Sequence, residues 1–517
     1  MIHLEECVVG IDIGTSACKV LAISRDLEIL SEKSGKYPIY VPKPGWTEQN
    51  PEDWWTVVKS LLTDTSAELR EKGYEIAGIG LTGQMHGLVL LDERGKVLRP
   101  CIMWNDQRNY KQCLYAIERL GGLEKVIRLI NNGIMPGFTI GKILWVMENE
   151  PEIFAKAKKL LNPKDYIRFR LTGDYITDVS DASGTHMFDV KNRKWCDEIL
   201  KIFNIPEDML PDRVVESSEI TGCISDHVAR NIGVKGEVAV VGGGGDAVVQ
   251  LAASGSTSPT KLCILIGTAG VVGLTVDRYF ENSGGILQFY CNVMPDKWIV
   301  FGCTLAAGGS LEWFRQVFAD SEEAVAKWCE KSVFDILSEE AEKAQIGSGG
   351  VFFLPYLTGE RAPHTDPNAR GVFIGLNLMT RKPDIVRSVL EGVAYSLRSV
   401  GDILKEKSGG EIREVYLSGG GAASSVWRQI FADIFGARVK TLKYSEKGGS
   451  LGAAILAGVG IGFWKKFEDA VESLEVVYEN EHNPQNHEKY EKFFKIYEKL
   501  YPILKPAFDL ISEKGQQ

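Results

Sequence analysis

Short apolar runs alternate with amphipathic stretches along most of the chain. Residues 76–81, 237–241, 262–266 and 414–418 each read as a buried strand, and segments of helical period follow or pair with them. That alternation predicts an α/β protein. Near the end, Tyr490, Phe493, Phe494, Tyr497 and Tyr501 share one face of a helix over 487–504, which predicts a C-terminal helix docked on the body.

The pattern also repeats itself. Ile11-Asp12-Ile13-Gly14-Thr15-Ser16 returns 253 residues later as Ile264-Leu265-Ile266-Gly267-Thr268-Ala269, each a buried strand entering a tight Gly-Thr turn. A second echo pairs the strand and glycines 242–245 with the strand and Ser418-Gly419-Gly420-Gly421-Ala422, each running into a helix. Two echoes in the same order predict a duplicated domain. The expected division is 1–255 for the first copy, 256–475 for the second and 476–517 for a helical tail.

Composition sharpens this reading at three points. With 517 residues the chain exceeds what one hydrophobic core serves, which fits two large domains. A net charge of −10 argues against a nucleic-acid binder, which would need clustered Lys and Arg. Glycine, at 54 copies, is just over a tenth of the chain against a usual share of about 7%. No collagen-like period absorbs it, so the fold needs bare backbone in particular places. The ten cysteines are scattered singly and read as buried small hydrophobes in a reducing compartment. Glu5 and Glu6 stand where a signal peptide would carry basic residues, and no apolar run is long enough to span a bilayer, so a cytoplasmic protein without membrane contact is expected.

The candidate chemistry gathers at the turns. A Gly-Thr turn after a buried strand exposes successive N–H groups, a shape that holds anions, and one turn per half suggests two loops gripping a polyphosphate. Asp12 sits mid-strand, where a carboxylate needs a metal or strong donors, and its counterpart is Leu265, so the turn itself does not require it. A Mg²⁺ held through waters fits best. Asp246 closes the run of glycines 242–245 at the start of a helix; a plain N-cap would not need four glycines before it, which favours a catalytic role. Glycines 419–421 precede another helix and could receive the nucleoside end of the same ligand. Gly83-Gln84-Met85-His86-Gly87 and Trp104-Asn105-Asp106 offer amide, imidazole, carboxylate and indole groups, a set suited to a polyhydroxylated substrate.

Other nucleotide motifs fit poorly. The nearest approach to a P-loop, Gly137 to Ile143, has the wrong spacing and lacks the final Ser or Thr. Gly242, Gly244 and Ala247 satisfy a loose dinucleotide fingerprint, but no acid for a ribose lies about 20 residues on. Seven scattered histidines without HExxH argue against zinc hydrolysis.

At this point the chain resembles the FGGY carbohydrate kinases, members of the actin, Hsp70 and hexokinase group, over residues 8 to about 470. Gly137-Phe138-Thr139-Ile140-Gly141-Lys142-Ile143-Leu144-Trp145 looks like the family's first signature. The stretch from Gly371-Val372-Phe373-Ile374-Gly375-Leu376 to Leu390-Glu391 looks like its second. The resemblance implies duplicated ribonuclease H-like domains around an inter-domain cleft, ATP and Mg²⁺ as cofactors, and a small sugar as substrate. It implies Asp246 as general base and metal-side group, Asp12 as metal-side carboxylate, and Gly14, Thr15, Ser16, Gly267 and Thr268 as phosphate loops. Gly308, Gly309, Gly419, Gly420, Gly421 and Ala422 would lie on the nucleotide side. Gln84, Met85, His86, Trp104, Asn105 and Asp106 would surround the sugar. The segments around these residues look most like the members that phosphorylate a ketopentose, with D-xylulose the expected acceptor. Ala247 departs from that pattern, where Asn follows the aspartate. D-Ribulose, L-xylulose and sugar acids stay open as acceptors, as does a nucleotide switch without a sugar and a homodimeric assembly.

Overall fold

The computed structural model describes residues 4–514. Two mixed seven-stranded sheets carry its two halves. In the first, β1 (Glu5–Ile13), β2 (Ala17–Ile23) and β3 (Ile29–Lys36) form an antiparallel meander. Across β1 lies parallel β4 (Tyr74–Gly83); of the next two strands, β5 (Ile220–Cys223) and β6 (Ala239–Val241), β6 pairs parallel with β4 and β5 closes the edge. The two-residue strand Gly244–Gly245 extends β6's side of the sheet along β4. Cys7, Val8, Val9, Ile11 and Ile13 are all buried, so β1 is apolar on both faces as a central strand must be. Helix α1 (Pro51–Glu71) covers one face with Trp54, Val58, Leu62 and Leu69. Its start is fixed by Asn50, whose side chain accepts from the Glu52 N–H, and by Pro51 in the first turn.

The second sheet uses β7 (Lys261–Ile266), β8 (Gly270–Val276), β9 (Gln288–Cys291), β10 (Trp298–Thr304), β11 (Glu414–Ser418), β12 (Arg438–Leu442) and β13 (Val476–Asn480). Their order is β9-β10-β8-β7-β11-β12-β13, with β11 parallel to β7 and β12 parallel to β11. The two sheets therefore share one plan: a meander, two parallel strands beyond its first member, and an antiparallel edge. Asp12 pairs with Thr82 and Leu265 with Ser418, so the first sequence echo joins equivalent residues.

The second echo is out by one strand. Glycines 419–421 follow β11, whose counterpart is β4, while glycines 242–245 follow β6, whose counterpart is β12. Strand, glycines, helix is a local pattern that recurs at several turns of this fold, and only the pairing of strands tells one turn from another. The stretch from 476 also differs from the expected helical tail, because it opens with β13 on the edge of the second sheet.

Two equivalent helices join the halves: α2 (Asp246–Ala253) after β6 and, further along, one over Gly448–Gly460 after β12. The latter lies on the first sheet so closely that a Cβ at Gly10 would fall on the Ser450 carbonyl, and one at Gly80 on the Ala453 carbonyl. Leu251 of α2 reaches the second sheet, 2.6 Å from where a Cβ of Gly273 would stand. Part of the glycine excess thus serves helix-on-sheet contact between the halves. Helix α3 (Lys382–Ser408) crosses the second core; with the helix over Gly448–Gly460 as α4, the last is α5 (Pro484–Lys514). Tyr490, Phe494 and Tyr497 of α5 are buried, and the Tyr490 hydroxyl donates to Glu391 at 2.7 Å while accepting from Arg387 at 2.8 Å. Eight of the ten cysteines are wholly or partly buried as expected, but Cys223 and Cys329 are exposed. Among the described residues no helix is long and apolar enough to cross a membrane.

Candidate active site

Asp12 comes from the end of β1 and Asp246 from the first residue of α2, and each is half-buried between the halves. Burial pushes the Asp246 carboxyl up to about 7, with the Asp12 charge adding to the rise. Burial likewise raises Asp12 to about 6, against a downward pull from Lys19. The Asp246 carboxylate accepts from the N–H of Ala247 at 2.8 Å and from the backbone of Met85. The sugar-side loop after β4 is thereby tied directly to the proposed base. Gly449 stands against Asp12, where a Cβ would lie 2.7 Å from Oδ2.

The donor set suits a hard cation. Two neighbouring carboxylates disfavour each other's ionised form, a penalty a divalent ion removes, and both offer oxygen. Among the described residues no group of three or more His, Cys, Asp or Glu forms a complete cage. A Mg²⁺ there would take most of its ligands from water and phosphate, as that ion commonly does.

The two Gly-Thr turns cap β1 and β7. In the first, Gly14 donates to Ala17 at 3.1 Å, and the turn is braced from behind: Tyr37 donates to the Gly14 carbonyl and Gln49 to the Thr15 carbonyl at 2.8 Å. Among the described residues the N–H groups of Thr15 and Ser16 have no partner within the protein and are available to an anion. In the second turn Gly267 donates to Ala269 at 3.1 Å, and Gly267, Thr268 and Ala269 are exposed. Gly308 and Gly309 donate to the carbonyls of Gly267 and Thr268 at 2.8 and 3.0 Å. They brace this turn instead of presenting N–H groups to a ligand, and each is glycine because a Cβ would come within 2.8 Å of those carbonyls.

Gly419 and Gly421 pack on Ile266 at the end of β7, while Gly420 is exposed with open space around it. Ala422 is buried beneath them. The helix that follows, Ser425–Phe435, is capped by Ser424, so its end is less free than the sequence suggests.

The sugar-side residues separate into two kinds. His86 adopts a left-handed backbone (φ 69°), and its carbonyl is clamped by Thr139 at 3.1 Å and Lys142 at 2.8 Å. Its Nδ1 meets the Gly184 carbonyl at 2.8 Å, which makes Nδ1 the donor and leaves Nε2 as an acceptor. Burial, helped by His186 and Lys142, holds the ring neutral. Phe138 and Tyr290 pack on it with centroids at 4.2 and 6.3 Å. Trp104 is 42% exposed, and its Nε1 donates to Thr15 Oγ1 at 3.0 Å, so the indole links the sugar side to the first phosphate turn. Asn105 beside it is exposed.

Two expected sugar contacts are corrected. Asp106 is fully buried, and its oxygens accept from Thr47 N, Arg108 N and the Arg108 guanidinium at 2.6–2.9 Å; it holds its own loop. Gln84 is 2% exposed and donates to Gln49 at 2.7 Å, so it supports the first phosphate turn from beneath. Met85 is also buried, and its contribution to Asp246 is through the backbone. Phe138, Lys142, Gly184 and Tyr290 around His86 were not singled out from the sequence as lining this pocket. They lie up to about 200 residues from it, and no spacing links them.

Comparison with known proteins covers both halves of the chain. Residues 7–253 match the N-terminal domain of the FGGY family of carbohydrate kinases and 262–461 its C-terminal domain. The chain is 36% identical over 495 residues to a xylulose kinase of Bacillus subtilis, covering 96% of each. It is 32% identical over 507 residues to a gluconokinase of the same organism, covering 98% of each. The ligand-bound xylulose kinase from Lactobacillus acidophilus superposes with a TM-score of 0.89 at 26% identity, over 98% of this chain and all of that one. With both halves matched, each on its own sheet, the chain belongs to the FGGY family of carbohydrate kinases.

Proposed function

We propose that this protein phosphorylates D-xylulose at its terminal hydroxyl, with ATP as donor, and that Asp246 is the general base. The observation that carries the base assignment is the position of Asp246: next to Asp12, at the base of the glycine loop, and bonded to the backbone of the sugar-side loop. A carboxylate held beside the acceptor hydroxyl would take its proton as that oxygen attacks phosphorus. His86 Nε2 and Asn105 would bond sugar hydroxyls, and the Phe138 and Tyr290 rings would give the pocket its apolar wall. The turns at Thr15 and Thr268 would hold phosphate through backbone N–H groups. Asp12 and Asp246 would hold Mg²⁺, which supplies charge neutralisation on the phosphates. In phosphoryl transfer the protein contributes mainly position and electrostatics, and the clamped His86 backbone and braced turns supply the first of these. Closing the halves over the sugar would exclude water as a rival acceptor.

The choice of D-xylulose rests on the relatives named xylulose kinase. A sugar acid is the second reading, favoured by the gluconokinase relative; Ala247 lacks the side-chain amide expected for D-xylulose but offers nothing to a carboxylate. A coupled assay of ADP release over D-xylulose, D-ribulose, L-xylulose and D-gluconate tests both. The highest kcat/KM on D-xylulose supports the first reading, and a clear preference for gluconate replaces it.

A further inference from the structure

Beneath the glycine loop lies a group of charges with no access to water. Lys164, Asp165, Arg168, Asp178 and Asp181 are each fully buried, as are Ser180 and Ser217. The Lys164 ammonium stands 2.5 Å from Asp165, 2.9 Å from Asp178 and 3.4 Å from Asp181, and Arg168 meets Asp165 at 2.9 Å. Burying five charges costs several kcal/mol each unless they are paired. A structural pair could be replaced by apolar side chains at little loss, so what this group holds matters.

It holds the loop that ends in Asp246. Arg168 donates to the Gly242 carbonyl, and Gly243 donates to the Ser217 carbonyl at 2.7 Å. Gly245 donates to Ser180 Oγ at 3.0 Å, and Ser180 donates to Asp178 at 2.6 Å. Ser217 also donates to Asp178, at 3.1 Å. Contacts thus run unbroken from Lys164 through Asp178 and Ser180 to the N–H of Gly245, the residue immediately before Asp246. The loop cannot anchor itself with its own side chains, because it has none.

We propose that Ser180, Asp178 and Lys164 are positioning residues for the reaction, fixing the Gly245 peptide so that the Asp246 carboxylate points at the acceptor hydroxyl. The three aspartates are unequal in this. Asp178 accepts from the N–H and hydroxyl of Ser180, the Asp181 N–H, the Ser217 hydroxyl and Lys164, whereas neither Asp181 oxygen has a hydrogen-bond partner among the described residues. Asp181 thus makes no side-chain hydrogen bond toward the glycine loop. This role rests on the reading of Asp246 as base.

The test compares purified full-length Ser180→Ala, Asp178→Asn, Asp181→Asn and Asp246→Asn in the coupled assay, with melting temperatures. A displacement of about 1 Å at a reacting group costs roughly 10²-fold in rate, so Ser180→Ala should lower kcat by about ten- to a hundredfold. The buried Gly245 N–H left without its acceptor should lower the melting temperature by several degrees, but with the enzyme folded at the assay temperature KM for ATP and sugar should stay near wild type while kcat falls, a split that loss of stability alone would not give. Asp178→Asn should lose at least as much activity, and Asp181→Asn should retain near-wild-type kcat. A Ser180→Ala enzyme with unchanged kcat, or an Asp181→Asn enzyme as impaired as Ser180→Ala, overturns the proposal. An active Asp246→Asn enzyme overturns the base assignment and this role with it; an inactive one beside a fully active Ser180→Ala enzyme overturns the anchor alone.

Discussion

Replacing Asp12 by Asn should make the free protein more stable and the enzyme inactive. In the fold the Asp12 carboxyl is raised from 3.8 to about 6, so its protonated form is preferred there, and the ionised form carries a penalty. That penalty is absent below the unfolded value near 4, grows as pH rises, and is complete above about 6. Two pKa units correspond to about 3 kcal/mol, and the solvent that reaches an open cleft lowers this to about 1–3 kcal/mol. Asn keeps the shape and removes the charge, and the like-charge burden on Asp246 falls as well. For a domain of this size each kcal/mol moves the melting temperature by roughly 2–4 °C. The assay is a thermal melt of both proteins at pH 8 and pH 5, without nucleotide or divalent ion. The variant should melt several degrees higher at pH 8, and by linkage about half of that gap should remain at pH 5. A variant that melts no higher at pH 8, or a gap of the same size at both values, refutes the reasoning. Sugar-dependent ADP release should be lost in the same variant, because a divalent ion then keeps only one carboxylate.

Asp246→Asn should reduce sugar-dependent turnover by about 10²–10⁴-fold, while ATP binding followed by calorimetry stays intact. Gly80→Ala places a methyl group on the Ala453 carbonyl and should cost about 1–3 kcal/mol, seen as a lower melting temperature. Tyr490→Phe leaves Arg387 and Glu391 without a shared buried partner and should destabilise by about 1–3 kcal/mol in denaturant titrations, with kcat unchanged. Trp104→Phe keeps a ring but loses the bond to Thr15, and a raised KM for the sugar is expected in steady-state kinetics.

Much of the site could be read along the chain because its parts are local. A strand entering Gly-Thr, a carboxylate where the equivalent strand has Leu265, and four glycines before Asp246 are each contained within a few residues. Backbone donors and glycine can hold phosphate without basic charge, so a net charge of −10 does not argue against the proposed nucleotide site. Side-chain direction is not local. Asp106 and Gln84 have the chemistry of sugar ligands, yet Thr47, Arg108 and Gln49 from other elements take up their polar atoms. Nothing in the spacing of Lys164, Asp178 and Ser180 announces that they meet beneath the glycine loop.

The sequence alone determined the class of elements, the duplication and the residues with chemical capacity, since apolar period and turn chemistry act over a few residues. Tertiary structure decided which glycine turn is equivalent to which, which polar groups face the cleft and which are taken up behind it. It also decided that α4 of the second half lies on Gly10 and Gly80 of the first. Those outcomes depend on strand pairing and on contacts between residues hundreds of positions apart, where burial and hydrogen-bond satisfaction act on the whole fold at once.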